Sequence, residues 1–272
     1  MTVNLFGRRS ALFLPASNPR AIAKARTAGA DLVILDLEDA VKRDDKEVAR
    51  RAAVDAVAEP WSCPVAIRVN GIASEWHGVD VEAVAASAAD FLVVPRVEGA
   101  AVVREVKALT GKPVAAMIET PKGVLRAAEV ALEAAALIAG TNDLRASLRL
   151  PQGAGRECIS VSLQMVVLAA RAAGVPAFDG VFNRLEDQEG LAAEAREGRM
   201  LGFDGKTLIH PNQVEACHAA WAPTAAELAR AERLVAAASG GAERFEGEMI
   251  ERMHVEAAER LLASGRATSC SP

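Results

Sequence analysis

Charged residues able to do chemistry recur in one kind of place in this sequence, immediately after a short apolar run. Such runs end in Leu35-Asp36-Leu37-Glu38-Asp39, Arg68-Val69-Asn70, Pro95-Arg96, Glu119-Thr120-Pro121, Gly140-Thr141-Asn142-Asp143, Asp179-Gly180 and His210-Pro211. Brought together, unpaired carboxylates repel and raise one another's pKa, so a cluster of them implies a bound cation or paired arginines. Oxygen-only ligation by a pair such as Glu119 and Asp143 suits Mg²⁺ or Mn²⁺, with water and substrate completing the shell, whereas zinc prefers His or Cys. Arg68 follows Val65-Ala66-Ile67 and would be a charge at the end of a buried strand. Its planar fork fits a substrate carboxylate or enolate oxygen, or else a structural pairing with Asp36 or Glu38. Taken singly, each carboxylate could equally cap a loop or join a surface ion pair.

The elements that must position these groups are legible in the apolar periodicity. Runs rich in Val, Ile, Leu and Phe at 10–16, 32–37, 65–70, 91–95, 114–119, 136–141, 177–182 and 207–210 alternate with Ala-rich stretches carrying Glu, Lys and Arg at helical spacing. Helices are expected at 19–28, 46–58, 100–109, 124–134, 160–173 and 191–201, the last stopped by Gly202. Strict strand–helix alternation implies parallel strands with right-handed crossovers, and eight such units close into a (β/α)8 TIM barrel. The rival, a doubly wound open sheet, would need fewer strands for one domain, and no strand ends in a dinucleotide fingerprint. Chemistry in a barrel of this kind is done at the carboxyl ends of the strands, which is where the polar residues fall. The expected division is a barrel over 1–222 and a C-terminal helical extension over 223–272. The extension carries two helical stretches, 225–238 and 251–263, around Gly240-Gly241. Its Leu, Val and Met stripe is expected to pack on a neighbouring subunit, with solvated decoration as the alternative.

Composition removes several classes of function. The 272 residues are 51% hydrophobic and 25% charged, the balance of a folded chain and not of a disordered one. Aromatic residues make up only 4%, with no tyrosine, and the net charge is -5, so neither a base-stacking surface nor a phosphate backbone finds a complement. No nucleic-acid partner is expected, and no apolar stretch is long enough to span a membrane. Cys63, Cys158, Cys217 and Cys270 form no C-x-x-C pair and read as incidental thiols of a cytoplasmic protein. Gly202-Phe203-Asp204-Gly205-Lys206-Thr207 ends like a P-loop, but Met200 stands where the first glycine is needed and the stretch leads into a strand. His77, His218 and His254 are scattered. Arg20 and Lys24 lie four apart on the first helix; from pattern alone they are a solvated face, although they could hold a phosphorylated ligand.

Arg9-Ser10-Ala11-Leu12-Phe13-Leu14-Pro15-Ala16, Leu35-Asp36-Leu37-Glu38-Asp39-Ala40-Val41, Arg68-Val69-Asn70, Ile118-Glu119-Thr120-Pro121, Gly140-Thr141-Asn142-Asp143-Leu144 and Ile209-His210-Pro211-Asn212-Gln213 occur in this order. Together they resemble the citrate lyase beta subunit group of HpcH/HpaI aldolases and CoA-ester lyases. The resemblance implies a Mg²⁺-dependent barrel enzyme, usually a homotrimer, that splits a 3-hydroxyacyl-CoA such as citramalyl-CoA or malyl-CoA into acetyl-CoA and a 2-oxo acid. It implies that Glu119 and Asp143 carry the metal, that Arg68 binds and polarises the oxo acid, and that Glu38 orders a metal-bound water. Arg20 and Lys24 match positions that contact coenzyme A phosphates in relatives, and Ile209 and His210 border the same ligand.

In the tail, relatives carry an aspartate thought to act as acid/base in the neighbouring subunit's site. Here the run is Gly247-Glu248-Met249-Ile250-Glu251-Arg252-Met253, so Glu251 takes that place and the usual proline is missing. Two alternatives follow: a citrate lyase beta subunit acting on an acyl-carrier-bound citryl group, and a barrel that binds acyl-CoA with lost or altered activity.

Overall fold

The computed structural model describes residues 3–269, so Cys270 lies outside the described residues. Eight parallel strands form a closed barrel: β1 Ser10–Pro15, β2 Leu32–Asp36, β3 Val65–Arg68, β4 Phe91–Val94, β5 Val114–Ile118, β6 Ala136–Ala139, β7 Ala177–Asp179 and β8 Gly205–Leu208. Each strand pairs with its sequence neighbour, and β8 closes on β1 through Ser10↔Lys206, Ala11↔Thr207 and Leu12↔Leu208. The crossovers carry α1 Pro19–Ala25, α2 Lys46–Ala58, α3 His77–Ala85, α4 Ala100–Thr110, α5 Pro121–Leu125, α6 Ala127–Ala131, α7 Thr141–Ser147, α8 Ser160–Ala173 and α9 Gln188–Leu201, and α10 Val214–Trp221 follows β8. The barrel expected from alternation is thus the fold observed. The helix expected over 124–134 is instead two short helices broken at Arg126. Strand β8 starts at Gly205, earlier than expected, and this glycine lies against the Arg8 and Arg9 carbonyls, where a Cβ would collide.

Strand parity decides which side chains enter the barrel. Ala11, Phe13, Ile34, Ala66, Phe91, Val93, Ala115, Met117, Ala136, Ile138 and Phe178 share one buried interior cluster. Alternate residues such as Leu12, Val33, Leu35, Ile67 and Leu92 are equally buried but point to the helical layer, as a two-sided parallel sheet requires. Asp36, Arg68 and Glu119 each stand two residues beyond an interior residue, Ile34, Ala66 and Met117 respectively. The same parity that fills the core therefore aims these three at the barrel axis. Asp179 stands one residue beyond Phe178 and points the other way.

The chain divides into two compact units after Ala220. In the second unit, α11 Ala225–Ala237 is opened by a capping box in which Thr224 and Glu227 satisfy each other's backbone N–H groups. An antiparallel hairpin that patterning did not foresee, β9 Glu243–Phe245 and β10 Glu248–Ile250, leads to α12 Arg252–Ser269. Ala231, Leu234, Ile250 and Ala258 form this unit's apolar centre. No helix among the described residues is long and apolar enough to cross a membrane.

Candidate active site

At the carboxyl ends of the strands the barrel opens into a cavity of about 340 Å³, lined by Phe13, Asp36, Arg68, Met117, Glu119, Asp143 and Ile209 among others. Arg68 is buried there, and its fork is already used: Nε donates to Asp36 Oδ1 at 2.6 Å and Nη2 to Asp36 Oδ2 at 2.7 Å. The third nitrogen, Nη1, pairs with Glu38 Oε2 at 2.9 Å and lies 3.8 Å from Met117 Sδ. Both structural pairings open to Arg68 from sequence are therefore made at once. The two-pronged grip that the fork could offer a substrate is thus taken by Asp36, and Nη1 is the nitrogen left on the cavity side. Burial would lower the Arg68 pKa, but Asp36 and Glu38 raise it above its ordinary value, so the guanidinium stays charged. Asp36 also accepts the N–H groups of Glu38 (2.9 Å) and Ala40 (3.0 Å), which folds the acidic loop back over the strand end.

A residue that sequence reasoning missed braces this loop from behind. Lys46, at the start of α2, is buried and donates from Nζ to the Leu37 carbonyl (2.6 Å), the Glu38 carbonyl (2.7 Å) and Asn70 Oδ1 (2.7 Å). Asn70 is in turn held by Asp80, which pairs with Arg50 at 2.6 Å. The only hint in the sequence is a lysine on the apolar face of a helix, which pattern alone cannot tell from a snorkelling one.

Glu119 follows β5 and accepts the Arg96 N–H at Oε1, 2.6 Å away. Its carboxylate fits against Gly140, where any Cβ would run into it. Asp143, in the first turn of α7, receives Arg96 Nη1 at 2.8 Å. Burial first, then the charge of Asp143, pushes the Glu119 carboxyl up to about 7 against the opposing Arg96 N–H and the charges of Arg68 and Arg96. Burial pushes Glu38 further, to about 8; Arg68 pulls downward but is outweighed, with Asp39, Glu119 and Asp36 adding to the rise. The short Arg68–Glu38 contact and the raised Glu38 pKa pull in opposite directions. Crowding and burial win, because Asp36 takes two of the three Arg68 nitrogens.

Whether a divalent cation fits can be tested on the donor set. Among the described residues no group of three His, Cys, Asp or Glu side chains is arranged as a metal cage. Mg²⁺ does not need one, since it is commonly held by one or two carboxylates with the rest water and substrate. Glu119 and Asp143 supply that pair, and their mutual electrostatic penalty is of the kind a dication relieves.

Other sequence expectations sort differently. Asp179 is no part of the mouth: it faces the helical layer, fully buried, with Lys206 Nζ at 2.9 Å and Arg156 Nη2 at 2.7 Å. Burial alone would raise its pKa, but Lys206 and Arg156 reverse the direction and hold it low. Arg20 and Lys24 are exposed on α1, whose start follows the carboxyl end of β1, yet neither lines the cavity. Ile209 lines it; the His210 ring is turned to Asn212, with Nδ1 2.7 Å from Oδ1. Glu251 belongs to the second unit, exposed between β10 and α12, and its N–H donates to His254 Nδ1 at 3.0 Å. His218 is less scattered than it looked. It meets Ser10 Oγ (2.8 Å) and Asp31 Oδ2 (3.4 Å), but both through Nε2, so it is a staple at the amino-terminal end of the barrel and not a catalytic relay.

A closed parallel barrel with an arginine and crowded carboxylates at its carboxyl-end mouth is the architecture of a barrel enzyme whose chemistry is done at that mouth. Residues 9–211 match the family model described as HpcH/HpaI aldolase/citrate lyase, and the chain belongs to that family. It is 40% identical over 270 residues to a (3S)-malyl-CoA thioesterase of Cereibacter sphaeroides, with 95% of each chain covered. It is 33% identical over 282 residues to the citrate lyase subunit beta of Leuconostoc mesenteroides, covering 94% and 92%. Among solved structures, CitE from Mycobacterium tuberculosis in complex with magnesium, acetoacetate and coenzyme A superposes with a TM-score of 0.87 at 35% identity, covering 97% of this chain and 100% of that one.

Proposed function

We propose that the protein is a Mg²⁺-dependent CoA-ester lyase cleaving a short 3-hydroxyacyl-CoA, of the malyl-CoA or citramalyl-CoA type, into acetyl-CoA and a 2-oxo acid. The observation that carries this is the convergence of Arg68 Nη1, Glu119 and Asp143 on one cavity of about 340 Å³, a volume suited to a small acid with the carrier extending outward. Glu119 and Asp143 would hold Mg²⁺, which when bound supplies Lewis-acid stabilisation of oxygens gaining charge. Arg68 Nη1 orients the oxo-acid portion, and Asp36 and Lys46 fix Arg68 and the acidic loop so that little reorganisation accompanies reaction. A base removes the β-hydroxyl proton, the C–C bond breaks as the new carbonyl forms, and the electron pair moves onto the acetyl thioester as its enolate. Protonation at carbon then completes acetyl-CoA. Glu251 is assigned this proton transfer from the tail resemblance, delivered by a neighbouring subunit of a homotrimer. Arg20 and Lys24, exposed at the rim side of α1, are assigned to the coenzyme A phosphates, with Ile209 and His210 bordering the ligand.

A second reading, hydrolysis of the thioester, is favoured by the 40% identity to (3S)-malyl-CoA thioesterase. Both use the same grip on the acid and differ in the bond broken. Incubation of the pure protein with Mg²⁺ and malyl-, citramalyl- and citryl-thioesters separates them. A lyase releases a free 2-oxo acid and the acetyl thioester in equal amounts; a thioesterase releases the hydroxy acid and a free thiol. Cleavage confined to a carrier-bound citryl group would mark a citrate lyase beta subunit, and no cleavage of any of them an acyl-CoA-binding barrel.

A further inference from the structure

Arg96 is one of three non-glycine residues in the left-handed region among the described residues, with φ of 50°. An L side chain takes that conformation only at an energetic cost, so the surroundings must hold it there. Here the conformation does two things at once. It aims the Arg96 N–H at Glu119 Oε1, 2.6 Å away, and sends the guanidinium to Asp143 Oδ1, 2.8 Å away. The two carboxylates suited to a divalent cation are thus both engaged by this single residue. The Arg96–Asp143 pair is half open to water, with side-chain exposures of 48% and 37%, so it is held weakly and can exchange. A guanidinium cannot shed its proton near neutral pH; it leaves a carboxylate only by moving. Room for that movement exists, because Arg96 also borders two grooves outside the mouth, both shared with Ile72 and Glu98. Glu98, held by an exposed pairing with Lys122 Nζ at 3.2 Å, offers a second carboxylate there that a guanidinium can share.

Resting on the metal site proposed above, we infer that Arg96 is a built-in stand-in for the cation. Its side chain neutralises Asp143 while no ion is bound, surrenders it when a divalent ion arrives, and turns to Glu98, while its backbone N–H keeps hold of Glu119. The residue therefore sets how tightly the mouth takes the ion. A guanidinium that must be displaced weakens binding, and the same guanidinium, in place while the ion is absent, keeps the carboxylates from repelling one another.

The test is calorimetric titration of the full chain with MgCl₂, without substrate, for the wild type, Arg96→Gln and Arg96→Gly. The glycine variant keeps the backbone N–H and takes the left-handed conformation without strain, so it isolates the side chain. Both variants are expected to bind Mg²⁺ about three- to tenfold more tightly, the scale of one half-exposed ion pair removed. Thermal unfolding gives a second readout: Mg²⁺ should raise the Tm of each variant by more than it raises the wild type's. Unchanged or weaker Mg²⁺ binding in both variants overturns the role of Arg96. Glu119→Gln serves as the separate control. If wild type binds Mg²⁺ and Glu119→Gln does not, the site stands whatever Arg96 does; if neither wild type nor the Arg96 variants bind, the site and the stand-in fall together.

Discussion

Two clusters of buried charge stand in the same barrel and behave oppositely. Around β7 and β8, Asp179 and Glu194 are met by Lys206 and Arg156 at 2.7–3.5 Å, and Asp179 is held below its ordinary pKa. Around the mouth, Asp36, Glu38, Glu119 and Asp143 gather near Arg68 and Arg96, and two of them are driven upward, Glu38 to about 8 and Glu119 to about 7. The first cluster is electrostatically complete without any ligand and serves as a staple between strands and the helical layer. The second has more negative charge than its own cations neutralise, and that surplus is what a bound divalent cation would resolve. Burial is common to both, so balance of charge, and not burial, separates scaffold from site.

The largest effect is expected from breaking the balanced cluster. Lys206→Met would leave Asp179 buried without its main partner and should cost about 3–5 kcal/mol of stability, read as a shift in the urea midpoint. A loss under 1 kcal/mol would mean that the two clusters do not differ in kind. At the mouth the effect should fall on rate instead. Glu119→Gln should lower kcat by roughly 10²–10³, about 3–4 kcal/mol of transition-state stabilisation, with little loss of stability. Turnover at the wild-type rate would remove Glu119 from the metal site.

The surplus itself is measurable as pH dependence. Glu38 titrates near 8 in the fold against 4.5 for the free side chain. The stability that its protonated form contributes is fully present below about 4.5 and is lost as pH rises through 8. The metal-free protein should weaken by about 1–3 kcal/mol across that window, and Glu38→Gln should flatten the slope. An identical slope in the variant would show that Glu38 is paired as fully as Asp179. The smallest effect concerns the tail: Glu251→Asp should raise the rate severalfold if the group moves a proton, because a carboxylate one methylene too long sits off the reacting line. An unchanged rate would take Glu251 out of the chemistry.

Much of this was legible in the sequence, for reasons that can be named. Eight apolar runs alternating with helical stretches left little but a closed barrel, and the motif residues Asp36, Arg68, Glu119 and Asp143 do converge at its mouth. Asp179 was misread because it too follows a strand. Only the parity set by Phe178, hidden in a run apolar on both faces, shows that it points outward. Lys46 was missed because its three acceptors are brought together only by the fold. Arg96 was noticed as a residue but not as a bridge, since its reach depends on a left-handed backbone that no local signal announces. The second unit's hairpin lacked the alternating apolar pattern that betrays longer strands.

Calorimetric titration with Mg²⁺ at pH 7, repeated in buffers of different ionisation enthalpy, tests the central claim most directly, because it counts the protons expelled as the ion binds. With the Glu119 carboxyl pushed up to about 7, part of it is protonated at this pH, so binding should release protons, and Glu119→Gln should abolish both binding and release. Absence of binding in the wild type, or binding that survives unchanged in Glu119→Gln, would contradict the view that the unbalanced carboxylates at this mouth are a cation site.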